Sequence, residues 1–272
     1  MANQEDKINK EREKVSKRLE TIKNRVLVFS GKGGVGKSTV SANLGLAFAK
    51  KGLKVGLLDV DIHGPNLAKM MGVESKKIQA SSEAIIPVPV TENLSLISMS
   101  FLLENQDLPV IWRGPMKMKA IQQFIGDVAW GELDWLIIDS PPGTGDEPLS
   151  VAQLIPATGA IVVTTPQEVS LMDSRKAVAF ARKLNLEVYG IVENMSGLIC
   201  PKCKNKIYLF KEGGGEKAAK QMRVPFLGSI PIDPEIVSLG DEGKSFLDKH
   251  PDSEASKAFM EIVDKIRELK KS

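Results

Sequence analysis

Residues 31–39 read Gly31-Lys32-Gly33-Gly34-Val35-Gly36-Lys37-Ser38-Thr39. This is a complete Gly-x-x-x-x-Gly-Lys-Ser phosphate loop, and it stands where that pattern has physical meaning. The apolar run Val26–Ser30 before it reads as a buried strand, and the spacing from Thr39 to Lys50 after it reads as a helix. Glycines at 31, 33, 34 and 36 let backbone N–H groups converge on phosphate oxygens, while the helix N-terminus adds its dipole. Lys37 supplies a point charge to the β- and γ-phosphates, and Ser38 a hydroxyl ligand for Mg²⁺. The expected cradle for ATP is thus Gly33, Gly34, Val35, Gly36, Lys37, Ser38 and Thr39. Lys32 is a second lysine where an uncharged residue would fit the turn equally well, so it too is expected to meet phosphate.

Outward from the loop, short apolar runs alternate with helical periods. Strands are expected at Lys54–Asp59, Leu94–Ser100, Trp135–Asp139, Ala160–Thr165, Val188–Val192 and Phe226–Ile230. Helices are expected at Pro115–Val128, Leu171–Leu184, Glu216–Met222 and Ser253–Leu269. Several strands are apolar on both faces, as strands inside a parallel sheet must be. The alternation predicts an α/β fold: a doubly wound, mostly parallel sheet with helices on both faces, as in P-loop NTPases. One such domain is expected over 25–272, since 272 residues suffice for a single core. Ahead of it, Lys7–Lys23 carries Ile8, Val15, Leu19 and Ile22 among charges, so residues 1–24 are expected to hold a charged amphipathic helix.

Three acids complete the phosphate chemistry. Asp59-Val60-Asp61 closes the second strand, at the carboxyl edge where folds of this class bind ligands. Asp139 ends the apolar run Trp135-Leu-Ile-Ile-Asp139, and the following Ser-Pro-Pro-Gly-Thr-Gly-Asp146 has the glycines a γ-phosphate-sensing loop needs. Asp139, Asp59 and Ser38 are the expected Mg²⁺ residues, and Asp61 is expected to orient an attacking water. Phosphoryl transfer to water needs positioning and charge neutralisation more than covalent help, so Lys32, Lys37 and Asp61 form the expected catalytic set. Hydrolysis is expected to be slow without a partner.

The 37 basic and 34 acidic residues leave a net charge of +3, which gives no sign of a nucleic-acid partner. No run is apolar enough to span a bilayer, and Met1–Asn24 lacks the apolar core of a signal peptide, so a cytoplasmic protein without a membrane partner is expected. Cys200 and Cys203 are the only cysteines, and in a reducing compartment their spacing favours metal or redox chemistry over a structural disulfide. A tight C-x-x-C turn directs two thiolates at one metal, but zinc and iron–sulfur sites usually take four ligands. A symmetric dimer doubles the pair to four. Three readings stay open on the residues: a redox pair, a zinc staple between two copies, and a bridging iron–sulfur cluster.

Lys32-Gly33-Gly34-Val35-Gly36-Lys37-Ser38-Thr39 resembles the deviant Walker A motif of the dimeric ATPases that include nitrogenase iron protein, MinD and ParA. The resemblance implies a homodimer in which Lys32 reaches the partner's nucleotide. It also implies that Asn194 and the loop Pro231-Ile232-Asp233-Pro234 hold the adenine. Val192-Glu-Asn-Met-Ser-Gly, Cys200-Pro-Lys-Cys203, Trp112-Arg-Gly-Pro-Met116, Asp139-Ser-Pro-Pro-Gly-Thr-Gly-Asp146 and Asp59-Val-Asp-Ile-His-Gly-Pro-Asn66 together resemble the Mrp/NBP35 (ApbC-like) family of iron–sulfur cluster carriers. That resemblance implies an ATPase whose Cys200 and Cys203 share a cluster, [4Fe–4S] in kind, across the dimer and pass it to apo iron–sulfur proteins. The family's eukaryotic branch has an N-terminal four-cysteine site, and Met1–Asn24 contains no cysteine, so a second cluster is not carried over.

The competing expectation is a spatial-positioning ATPase of the MinD or ParA type with a zinc-stapled dimer. It asks for a detached amphipathic C-terminal helix or a basic face, whereas the stripe Phe259, Ile262, Val263, Ile266 and Leu269 is explained by core packing. A nitrogenase-like electron donor would need its cysteines near the switch loops. His63 and His250 are the only histidines; His63, just after Asp61, could sense nucleotide but is expected to be an ordinary loop histidine, and Asp173 and Arg175 are expected to be capping and interface charges.

Overall fold

The strand that feeds the phosphate loop is apolar on both faces, and both faces are covered. In the computed structural model, which describes residues 15–62, 64–80, 84–102, 121–122, 125–200, 202–203 and 205–271, this strand is β1 (Ile22–Ser30). Its last five residues are buried, as is every residue of β2 (Val55–Asp59) and β8 (Gly159–Thr164) and nearly every one of β7 (Leu133–Asp139). Among the described residues the other strands are β3 (Gln79–Ala80), β4 (Ile85–Ile86), β5 (Val88–Thr91), β6 (Leu94–Ser98), β9 (Val188–Ile199), β10 (Lys206–Ile207) and β11 (Phe226–Ile232). Nine of them form one sheet in the order β10-β9-β8-β1-β7-β2-β6-β5, with β11 added on β9. All neighbours are parallel except β5 on β6 and β10 on β9.

One face of the sheet carries α1 (Lys37–Lys50), α2 (Leu67–Met70), α6 (Pro234–Asp241), α7 (Phe246–Lys249) and α8 (Glu254–Leu269). Phe48 of α1 stacks on Trp135 of β7 at 4.5 Å between ring centroids. The other face carries α3 (Asp146–Leu154) and α4 (Glu168–Lys183), with Phe180 edge-on to Phe29 of β1. α5 (Gly214–Met222) packs on α4 beside β9. The α/β doubly wound architecture expected from the sequence is therefore present, and it aligns Ser30, Asp59, Asp139 and Thr164 along one carboxyl edge.

Several boundaries differ, each for a tertiary reason. Within 15–271 the N-terminal helix covers only 15–19; Ile22 and Lys23 open β1 instead, because Ile22 pairs with Leu133. Val15 and Leu19 are buried in the core, so this helix packs on the domain. Strand β9 runs to Ile199 rather than stopping at Val192, since β11 pairs with it at Asn194 and Leu198 and β10 at Leu198 and Ile199. Asn194 thus lies inside a strand, and Pro231 likewise lies inside β11. Met99 and Ser100, expected to end the strand from Leu94, instead open a 3₁₀ turn, Met99–Leu102. Helix α6 replaces an expected loop, because Asp233 accepts a hydrogen bond from Glu235 N and Pro234 takes the first helical position. Residues 121–122 and 125–127 of the expected Pro115–Val128 helix are helical; most of the rest, with Trp112–Met116, lies outside the described residues. Helix α8 buries Phe259, Ile262, Val263 and Ile266 against α1 and β11, so it is not detached. No described helix is long and apolar enough to cross a membrane.

Candidate functional site: a phosphate loop and a thiol hairpin

The loop between β1 and α1 turns at Gly36, whose φ of 79° is left-handed, and no side chain caps α1. Its first N–H groups are therefore left to an anion. Lys37 is only 6% exposed, and its Nζ lies 2.7 Å from Asp139 Oδ1. Asp139 also accepts from Ser38 Oγ at 2.6 Å and from Ser41 Oγ at 2.7 Å. The carboxylate thus holds the loop lysine and the Mg²⁺-type serine in one cluster. Ser41 adds to the expected set; it lies one helical turn after Ser38, so α1's periodicity is the signal that marks it.

Asp59 is fully buried and accepts from Ser98 Oγ at 2.9 Å, Leu67 N at 3.2 Å and Asp61 N at 3.2 Å. Burial first, and then the Asp139 charge, push its carboxyl up to about 8. Two carboxylates in so dry a place resist ionising together, and a divalent cation removes that conflict. Asp61 is buried beside them. Ser98 is the β6 register partner of Asp59, a relation that only sheet order reveals. Lys32 is half-buried in the loop, apart from the Lys37–Asp139 ion pair. Asp173 lies in the second turn of α4, not at its cap, and its carbonyl sits where a side chain on Gly31 would go. The capping role expected for it is thereby replaced by a packing role against the loop. Arg175 donates to Gln221 of α5.

Asn194 Nδ2 donates to Val35 O at 2.9 Å, so this amide grips the phosphate loop itself. Asp233 caps α6, and Pro231 is half-buried one strand residue before Ile232. Glu193, a lone acid in an apolar run and not among the expected site residues, is fully buried. His63 lies outside the described residues, and His250 tilts against Phe246 with Nε2 3.9 Å from Glu235.

Beyond Asn194, β9 leads directly to Cys200. The Cys200 N–H donates to Asn205 O at 2.9 Å, and β10 pairs back on β9, so the two cysteines occupy a hairpin. Neither thiol is in a disulfide; Cys200 is half-buried and Cys203 exposed. No cluster of three or more His, Cys, Asp or Glu able to hold a metal occurs among the described residues. Ile207, Tyr208 and Leu209 follow as an exposed apolar run.

A family model described as NUBPL iron-transfer P-loop NTPase (ParA) matches residues 21–267. The chain belongs to this family. It is 50% identical over 260 residues, 95% of this chain and 88% of the relative, to an iron-sulfur cluster carrier protein of Saccharolobus solfataricus. Among solved structures it is similar to a nucleotide-binding protein of Archaeoglobus fulgidus in complex with ADP, at 42% identity and a TM-score of 0.77. That match covers 86% of this chain and 91% of the other. It is also similar to the cell division ATPase MinD of Pyrococcus furiosus, at 25% identity and a TM-score of 0.64, over 91% and 99% of the two chains. As an iron-transfer P-loop NTPase, the chain belongs to the kind of family that its motifs resemble.

Proposed function

We propose that this chain is an ATP-hydrolysing carrier that holds an iron–sulfur cluster between two copies of itself and transfers it to apoproteins in the cytoplasm. The observation that carries the reading is the Cys200–Cys203 hairpin. It offers two thiols outside any disulfide, in no group of three or more candidate ligands among the described residues, on a chain whose family is iron-transfer NTPases. A second copy related by a two-fold axis brings the thiols to the four that a [4Fe–4S] cluster takes.

The nucleotide half follows from the oxygen-only donor set at the carboxyl edge. Ser38 Oγ, Asp139 and Asp59 are hard ligands that suit Mg²⁺, directly or through its waters, and the Asp59–Asp139 conflict fits a cation there. Bound Mg²⁺ would neutralise charge on the β- and γ-phosphate oxygens. In this reading Lys37 exchanges Asp139 for phosphate, Asp61 orients water, and Lys32 reaches the nucleotide of the second copy. Asn194, Pro231 and Asp233 border the base. No nucleophile is required, so turnover is slow until a partner orders the site. Neither nucleic acid nor membrane enters this reading. The packed α8 and the cysteine pair weigh against a positioning ATPase.

Anaerobic reconstitution with iron and sulfide tests the proposal. The parent chain is expected to gain the broad visible absorbance of a cluster, and Cys200→Ala and Cys203→Ala to lose it. Tight zinc binding by a parent that takes up no cluster would replace the carrier with a zinc-stapled ATPase.

A further inference from the structure

Glu193 has no part in the chemistry above, yet it is a fully buried carboxylate, which is costly unless its hydrogen bonds serve the fold. Its Oε2 accepts from Gly215 N at 2.6 Å, at the start of α5. Its Oε1 accepts from Ser196 Oγ at 2.6 Å and Ser229 Oγ of β11 at 3.4 Å. One acid therefore ties β9 to a helix start and to the next strand.

The four residues after it are unusual for a strand. Asn194 holds the carbonyl of Val35. That carbonyl shares its planar peptide unit with Gly36 N–H, so turning the N–H toward a phosphate must also move the oxygen that Asn194 holds. Met195 adopts φ 61°, a left-handed conformation that a methionine takes only under constraint, and its Cε lies against Gly36. Gly197 is left-handed at φ 79° and faces the Lys206 and Tyr208 side chains of the hairpin's return. Cys200 follows three residues later, so phosphate loop and thiols are joined by about 20 Å of one strand.

We propose that β9 between Glu193 and Gly197 transmits the state of the phosphate loop to the cysteine hairpin within a single chain, with Glu193 as the positioning residue that anchors the stretch. The anchor makes the strand a lever: fixed at Glu193, strained at Met195, and loaded at Asn194 when the Val35–Gly36 peptide turns. The inference rests on the nucleotide and cluster reading above, but its test needs neither a cluster nor a dimer.

Reduced, metal-free full-length chain is labelled with iodoacetamide, and the rates at Cys200 and Cys203 are followed by peptide mass spectrometry. The rates are compared without nucleotide, with Mg-ADP, and with Mg²⁺ plus a non-hydrolysable ATP analogue. Saturating nucleotide is expected to change labelling of the parent by about fivefold, the low end of coupling between two sites. In Glu193→Gln, whose amide turns an N–H toward the carboxylate's former donors, nucleotide still binds and labelling no longer responds. If that variant does not fold, Ser196→Ala removes one donor only and is expected to weaken the response. Equal parent labelling with and without bound nucleotide overturns the proposal, as does a full response in the variants. A response that survives Glu193→Gln but vanishes in Lys32→Ala or on dilution belongs to the dimer and also overturns it. Failure of the parent to take up iron defeats the carrier reading and leaves the labelling result standing.

Discussion

Asp59 and Asp139 are register partners on the adjacent parallel strands β2 and β7, both buried, one gripping Ser98 and the other Lys37. Sheet pairing has thus placed two acids side by side where, among the described residues, only one forms an ion pair. The edge of the sheet is built to receive a further positive charge.

Proton release upon metal binding follows. With its carboxyl raised to about 8, Asp59 is expected to hold a proton at pH 7, and Mg²⁺ bound as proposed would displace it. Calorimetry of Mg-ADP binding in buffers of different ionisation enthalpy is expected to show release of up to about one proton at pH 7, lost in Asp59→Asn. The same shift sets a stability trend. The folded state holds the proton more tightly than the unfolded one, so this group's contribution is present below the ordinary carboxylate pKa and lost as pH rises through about 8. Metal-free parent chain should therefore become easier to unfold toward pH 8, and Asp59→Asn should flatten that slope.

Asp139→Ala leaves the buried Lys37 ammonium without its partner. The expected loss of stability is about 3 kcal/mol or more in the absence of nucleotide, measured by urea unfolding. Phosphate at Lys37 should return part of it, so ADP is expected to raise the melting temperature of the variant more than that of the parent.

Ser98→Ala removes one hydroxyl donor from Asp59 without touching the nucleotide loop. A cost of about 1–2 kcal/mol in metal-free unfolding is expected. The proton count on Mg-ADP binding should rise toward its maximum, because the protonated form of Asp59 gains ground.

Asp139 was legible in the sequence because an acid that ends an apolar strand pattern has few structural reasons to be there. The phosphate loop was legible because glycine spacing and the flanking periods agree. Ser98 was not: Leu-Ser-Leu-Ile-Ser gives no sign that its last serine will face Asp59 until β6 is known to lie beside β2. The continuation of β9 was hidden for a similar reason. Asn194, Met195, Ser196 and Gly197 are poor strand formers, and pairing with β11 and β10 overrides that preference. Glu193 sits inside an apolar run, where a single acid carries no pattern of its own. The start of α6 is visible in Asp233-Pro234-Glu235, a capping residue followed by proline and an acid, but the same residue types suit an adenine-holding loop equally well.

Lys32→Ala is expected to retain nucleotide binding and to lose nucleotide-dependent dimerisation, since Lys32 is half-buried in the loop and takes no part in the Lys37–Asp139 ion pair. Light scattering on the eluting protein with Mg²⁺ and a non-hydrolysable ATP analogue checks this. A variant that dimerises like the parent assigns another role to Lys32.

The shared cluster is the centre of the account, and native mass spectrometry of the anaerobically reconstituted chain tests it most directly. The expected species is two chains plus about four irons and four sulfides, as four thiolates around one [4Fe–4S] cluster require. It should be absent when both chains carry Cys203→Ala. A single chain that holds a complete cluster alone, or two chains joined only by zinc, would contradict it.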